Sequence, residues 1–232
     1  MSSTRREFLG ATAATIAAAG AFGVPALAAA QSANPTQGMS YDAFVARARA
    51  PFRHKQAFLA TRPNGNVFVY MRNSLNGYQF GWGEGPRTLH AVAVMNGLGV
   101  AQGVGDEGWR KYRLADVLAA AGAPLKGAPP QGNPWLHARP GLVPDQTSQS
   151  APYNMDVSAE TLQKRGCEFF VCDTAMITLS MAVVAAGAGQ NVEAVHADLR
   201  GLLFAGAMLV PSGASSMDTL QQEHFSFYDA NV

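Results

Sequence analysis

The sequence predicts an α/β fold: a single domain with a mostly parallel sheet of about five strands flanked by helices. Three observations predict it. Short runs such as LHAVAVM and EFFVC are apolar almost without interruption, as strands covered on both faces need to be. Longer stretches between them carry apolar residues at helical spacing. Strand and helix alternate along the chain, which implies right-handed βαβ units.

Residues 1–30 read as a twin-arginine export signal. Thr4-Arg5-Arg6-Glu7-Phe8-Leu9 fits the pattern, with Gly10 where a Lys is common, and an apolar stretch runs from Leu9 to Phe22. Pro25 breaks it, and Ala26-Leu27-Ala28 or Ala28-Ala29-Ala30 offers a cleavage site. The apolar stretch is shorter than the roughly 20 residues of a comfortable span. The expected location is the periplasm, with no membrane span after signal cleavage. About 200 residues then remain, enough for one core.

The full chain has 17 Lys and Arg against 16 Asp and Glu; without Arg5, Arg6 and Glu7 the two are equal. That balance disfavours a general nucleic-acid binder, whose affinity rests on neutralising phosphates, and a polybasic membrane-surface protein. Charged residues are only 14% of the chain, which fits a large core, an oligomer with buried faces, or both.

Residues 31–66 read as an N-terminal helical extension. Within it Tyr41, Phe44, Val45 and Ala48 have helical spacing behind Ser40 as a cap, and Asn64-Gly65 is a turn signal. The α/β domain is then expected over 67–232. Its first strand is read at Val67–Met71 and its second at Leu89–Met95. DEGWRKYRLADVLAAAG predicts one helix stopped by Gly122. A Pro- and Gly-rich insertion, 123–152, is long for a connection and is either a lid or a packed surface loop. Ser158 caps a further helix that Gly166 stops, and Glu168–Cys172 is the third strand. The run from Asp173 is helical with Thr174 as a possible cap, and the segment around His196 is helical in part. GAMLVPSG is the fourth strand, followed by a helix capped by Ser215 or Ser216 and a last strand in FSFYD.

Both cysteines lie in GCEFFVC. If Glu168–Cys172 is extended, Cys167 and Cys172 are about 16 Å apart, too far for a disulfide, which needs Cα atoms within about 7 Å. Cys167 enters the strand from a helix end and is expected inside. Cys172 leaves it at the carboxyl edge, where open parallel sheets place their ligands. The following helix start favours a thiolate there, whereas Asp173 opposes one if its carboxylate faces the sulfur. A buried, inert thiol is the alternative.

LQKRGCEFFVC resembles the L-x-x-x-G-x-x-F-x-x-C stretch of the DsrE/DsrF-like sulfur-relay family. The succession VFVYM, LHAVAVMNG, GCEFFVC and GAMLVPSGASSMDTLQQEHFSF, with Leu220-Gln221 in its last helix, is also similar. The resemblance spans Val67 to about Tyr228, interrupted by the insertion. It implies a compact α/β fold, homo-oligomers, and in some members a persulfide on the cysteine matching Cys172. Its partners would be a sulfur donor or acceptor, protein or small molecule. Asp173, Thr174, His196 and Asp198 are candidate supporting residues. A non-catalytic module binding a small molecule or partner is the other reading.

No cofactor or structural metal pattern is read. Gly97, Gly99 and Gly103 lack the spacing of a dinucleotide fingerprint and fit a loop that needs glycine. His54, His90, His137, His196 and His224 lack zinc-site spacing, although His196 with Asp198 suggests a weaker, metal-dependent alternative. Trp135, His137 and Arg139 could cover a pocket or simply pack the loop.

Overall fold

The computed structural model describes residues 38–127, 130–139 and 156–231. Residues 1–30, read above as an export signal, and residues 128–129 and 140–152 of the insertion lie outside them. No described helix is long and apolar enough to cross a membrane.

Five parallel strands, β1 (His54–Ala60), β2 (Leu89–Met95), β3 (Glu168–Cys172), β4 (Ala207–Val210) and β5 (Ser226–Asp229), form one sheet in the order β4-β3-β2-β1-β5. The expected α/β fold with a parallel sheet of five strands is what is found. β2 is buried at every position, as its unbroken apolar run requires.

The first strand is not where the apolar density suggested. Val67–Met71 is helical, part of α2 (Asn66–Asn76). Its buried residues, Val67, Phe68, Met71 and Leu75, share one helical face. The sheet instead begins at His54, inside the segment read as an extension. The polar start of β1 hides it: Lys55 lies along the surface and its ammonium donates to the Ala48 carbonyl at 2.7 Å.

Helix α1 (Tyr41–Ala48) is capped by Ser40 as expected, its hydroxyl accepting the Ala43 amide at 3.3 Å. It belongs to the domain, because Phe44 and Ala48 pack on the sheet beside Ala57, Val92 and Phe170. The single helix expected after residue 105 is two, α3 (Asp106–Lys111) and α4 (Leu114–Ala120). Arg113, at φ 45°, breaks it. α5 (Ala159–Lys164) starts at Ser158 and is followed by Gly166 at φ 93°, a torsion that favours glycine. α6 (Asp173–Ala185) and α7 (Val192–Gly201) link β3 to β4, and α8 (Gly213–Gln222) links β4 to β5. α8 is capped by Ser212, not by Ser215 or Ser216.

Steps from β1 to β4 all run the same way across the sheet, so right-handed crossovers place α2 to α7 on one face. There Phe58, Phe169 and Met95 pack against Phe68, Leu118, Leu162, Met176 and Leu179. The step from β4 to β5 runs back, which puts α8 on the opposite face with α1, where Met217 and Leu220 join Phe44. Each large side chain sealed in this way contributes about 1.5–3 kcal/mol. The glycine-rich segment after β2 is a 3-10 turn, Gly97–Gly103. A Cβ on Gly99 would sit 2.3 Å from the Ala60 carbonyl oxygen, so close backbone packing accounts for that glycine.

Candidate functional site at the carboxyl edge of β3 and β4

β3 and β4 are neighbours, with Cys172 paired to Val210. Their outgoing connections leave in opposite directions, β3 into α6 on one face and β4 into α8 on the other. Such a divergence opens the crevice in which open α/β sheets bind ligands. Cys172 stands at that point.

Three adjacent strands here run into capped helical turns. Asn96, after β2, accepts the Gly97 amide at 2.8 Å through its side-chain oxygen. Cys172 is itself the N-cap of α6, its Sγ accepting the Ala175 amide at 3.3 Å; the expected cap, Thr174, lies inside the helix. Ser212 caps α8 through Ser215 at 3.5 Å. The ends of β2 and β4 meet, since a Cβ on Gly213 would lie 3.1 Å from the Asn96 side chain. The positive end of the 13-residue α6 faces the sulfur.

Asp173 does not offset that field freely. Its Oδ1 accepts from His196 Nε2 at 2.8 Å and lies 3.5 Å from Arg200 Nε. His196 is buried, and because a carboxylate only accepts, the imidazole donates. Thr174 turns the other way: its hydroxyl donates to the Pro211 carbonyl at 2.9 Å, and its amide does so at 3.4 Å. These bonds tie α6 to the chain leaving β4, and Cys172 beside them is 2% exposed.

Asp198 is not part of this group. It accepts from Lys111 Nζ at 2.8 Å and from the Tyr112 hydroxyl at 2.7 Å. Burial pushes its carboxyl up, but Lys111 and Tyr112 together hold it below its ordinary value. Residues two apart on a helix do not face each other, so His196 and Asp198 diverge. The metal alternative built on that pair finds no geometry, and no cluster of three or more metal-ligating side chains occurs among the described residues.

Cys167 and Cys172 are both free and buried. Burial pushes the Cys167 thiol up to about 12, against a weaker pull from Arg165. His90 pairs with Glu168 at 3.1 Å, and Arg47 holds the same carboxylate at 2.6 Å; this is a structural cluster at the start of β3. In the insertion, His137 binds Asp106 at 2.7 Å and Glu160 at 2.8 Å. Trp135 and Arg139 line a cleft over β1 and β2, so this loop both packs and covers. Sequence reasoning missed Asn96, Pro211 and Ser212. Asn96 follows an apolar strand and Ser212 precedes a helix, and these cap signals were available.

The fold and site thus define a three-layer α/β protein with a capped thiol at its topological switch. No protein-family model matches the chain, and no curated protein or solved structure shows significant similarity to it.

Proposed function

We propose that the chain is a periplasmic sulfur carrier that holds sulfane sulfur as a persulfide on Cys172. The observation that carries this reading is the Cys172 Sγ at the N-cap of α6, at the switch point of the sheet. The resemblance of LQKRGCEFFVC to the sulfur-relay stretch supports it, and the twin-arginine pattern at Thr4–Leu9 supports the location. The Cys172 thiolate attacks the terminal sulfur of a donor persulfide, R–S–SH. A new S–S bond forms, the donor's S–S bond breaks, and R–S⁻ departs to take up a proton. Transfer onward repeats the exchange with an acceptor thiolate. Asp173 and Thr174, with His196 behind them, hold the first turn of α6; Asp198 serves the α3–α7 contact instead. In this reading Cys167 is structural and the chain assembles as a homo-oligomer.

The test is to incubate the mature protein with cysteine persulfide and measure the mass of the Cys172 peptide. A gain of one sulfur atom, absent in Cys172→Ser, is expected. No gain, in a protein whose Cys172 reacts with a small alkylating agent, would overturn the proposal.

The low exposure of Cys172 favours a second reading, a non-catalytic binding module of the same fold. Cys172→Ser separates the two, since a binding module keeps its ligand or partner when the thiol is gone.

A further inference from the structure

A cleft of about 910 Å³ lies over the carboxyl ends of β1 and β2, and Cys172 does not line it. The loop after β1 and the start of α2 contribute Arg62, Asn64 and Asn66; the insertion contributes Lys126, soon after α4, and Trp135 and Arg139 further on. Its volume suits a small organic ligand.

Among the described residues the lining carries three cations and no acidic residue. The ion pairs of the described residues leave out Arg62, Lys126 and Arg139. Nearby acids are already engaged: Asp106 and Glu160 by His137, and Asp156 by Ser158 and the Arg139 amide. Asn64 turns its oxygen inward to the Asn66 amide at 3.0 Å, which leaves its NH₂ group as the outward-facing partner. Trp135 is fixed from two sides, stacked on Phe68 at 6.3 Å and edge-on to Trp109 at 5.8 Å. Gly65 allows this approach, since a Cβ there would lie 2.2 Å from Trp135 Nε1.

The loop bearing Arg62 is preset as well. Asn231 Oδ1 accepts the amides of Thr61 and Arg62 at 2.7 and 3.1 Å, and Gln102 donates to the Arg62 carbonyl at 3.0 Å. A donor-rich wall with no carboxylate among its described residues selects negative charge, and the half-buried Trp135 ring selects an apolar or flat portion beside it.

We infer that this cleft binds a small organic anion carrying at least two negative charges, held by Arg62, Lys126 and Arg139. The site is separate from the thiol and does not depend on it. Carboxylate and phosphate oxygens share the required chemistry.

The experiment is calorimetric titration of the mature chain at low salt with citrate and, separately, with pyrophosphate. One-to-one saturable binding of either supports the inference, and the stronger of the two identifies the acid group. Arg62→Gln, Lys126→Gln and Arg139→Gln should each weaken binding by about tenfold, as loss of a charge-assisted hydrogen bond does. Lys164→Gln removes an exposed charge outside the cleft and should leave affinity unchanged. Circular dichroism and melting temperature verify that each variant folds. Absence of saturation with both anions, or equal weakening by Lys164→Gln, would overturn it.

Discussion

The Thr174 hydroxyl donates to the carbonyl oxygen of Pro211 at 2.9 Å, so one side chain of α6 spans the divergence between β3 and β4. Thr174 is exposed while Cys172, two residues earlier, is buried. An exposed polar contact thus lies close in the chain to a sealed thiol.

Removing that contact should expose the sulfur. Thr174→Val keeps the shape of the side chain and deletes the donor. The expected cost in stability is about 0.5–1 kcal/mol, and the rate of native-state alkylation at Cys172 should rise several-fold. Peptide mapping after timed maleimide labelling measures it. An unchanged rate would show that burial of Cys172 is set by other contacts.

The cap and the nucleophile can be separated at Cys172 itself. Ser is among the best N-cap residues and Ala among the poor ones. Cys172→Ser should hold the melting temperature close to that of the parent chain, whereas Cys172→Ala should lose about 1 kcal/mol. On the proposed reading, neither variant should take up sulfur from a persulfide donor. If the two variants melt together, the Ala175 contact contributes nothing to the helix start.

Cys167 gives an alkaline signature. Its ordinary value is 9.0, and burial raises it to about 12 in the folded chain. Above the ordinary value the unfolded thiol gives up its proton while the folded one keeps it, so stability falls as pH rises from about 9 to about 12. Cys167→Ala should flatten that part of the curve. Denaturant melts across this range, compared between the two chains, are the measurement.

The His137 clamp should weaken on either side of mildly acidic pH. Hydrogen bonds donated to Asp106 and then to Glu160 raise the imidazole. The Ala138 amide, then His137, lowers Glu160 in spite of burial. Burial pushes Asp106 up, but His137 and the Asn133 amide outweigh it. The imidazole's contribution is complete below its ordinary value of 6.5 and is lost as pH rises through its raised value. The carboxylates' contribution is present above their ordinary values, 3.8 and 4.5, and is lost as pH falls through the lowered ones. Lys164 and Arg110 add charge nearby. The ring is well exposed, so the effect is local. Proteolysis of the insertion should be slowest between about 4.5 and 6.5, and His137→Gln should remove that minimum.

Much of the sheet was legible because burial on two faces leaves a simple trace. β2, β3 and β4 are dense apolar runs, and Ser40 and Ser158 announce their helices by occupying the cap. β1 and α2 were exchanged for a physical reason. Lys55 and Gln56 give β1 a polar start, whereas α2 carries five apolar or aromatic residues in a row, from Val67 to Met71, and density was weighed above periodicity. The break at Arg113 carries no Gly or Pro to announce it. At the site, the position of Cys172 on the carboxyl edge was readable from the strand alone. The Asp173–His196 and Thr174–Pro211 contacts were not, since each joins segments more than 20 residues apart, which local spacing does not encode.

The pairing of β1 with β5 also bears on biosynthesis. Ala57 stands opposite Phe227, so the flank of β1 stays open until the ribosome has made nearly everything between them. The Arg62 loop waits equally long for Asn231. A nascent chain can stack its first four strands as they emerge, but the sheet gains its fifth strand and the Arg62 loop its anchor only when the last residues have been made.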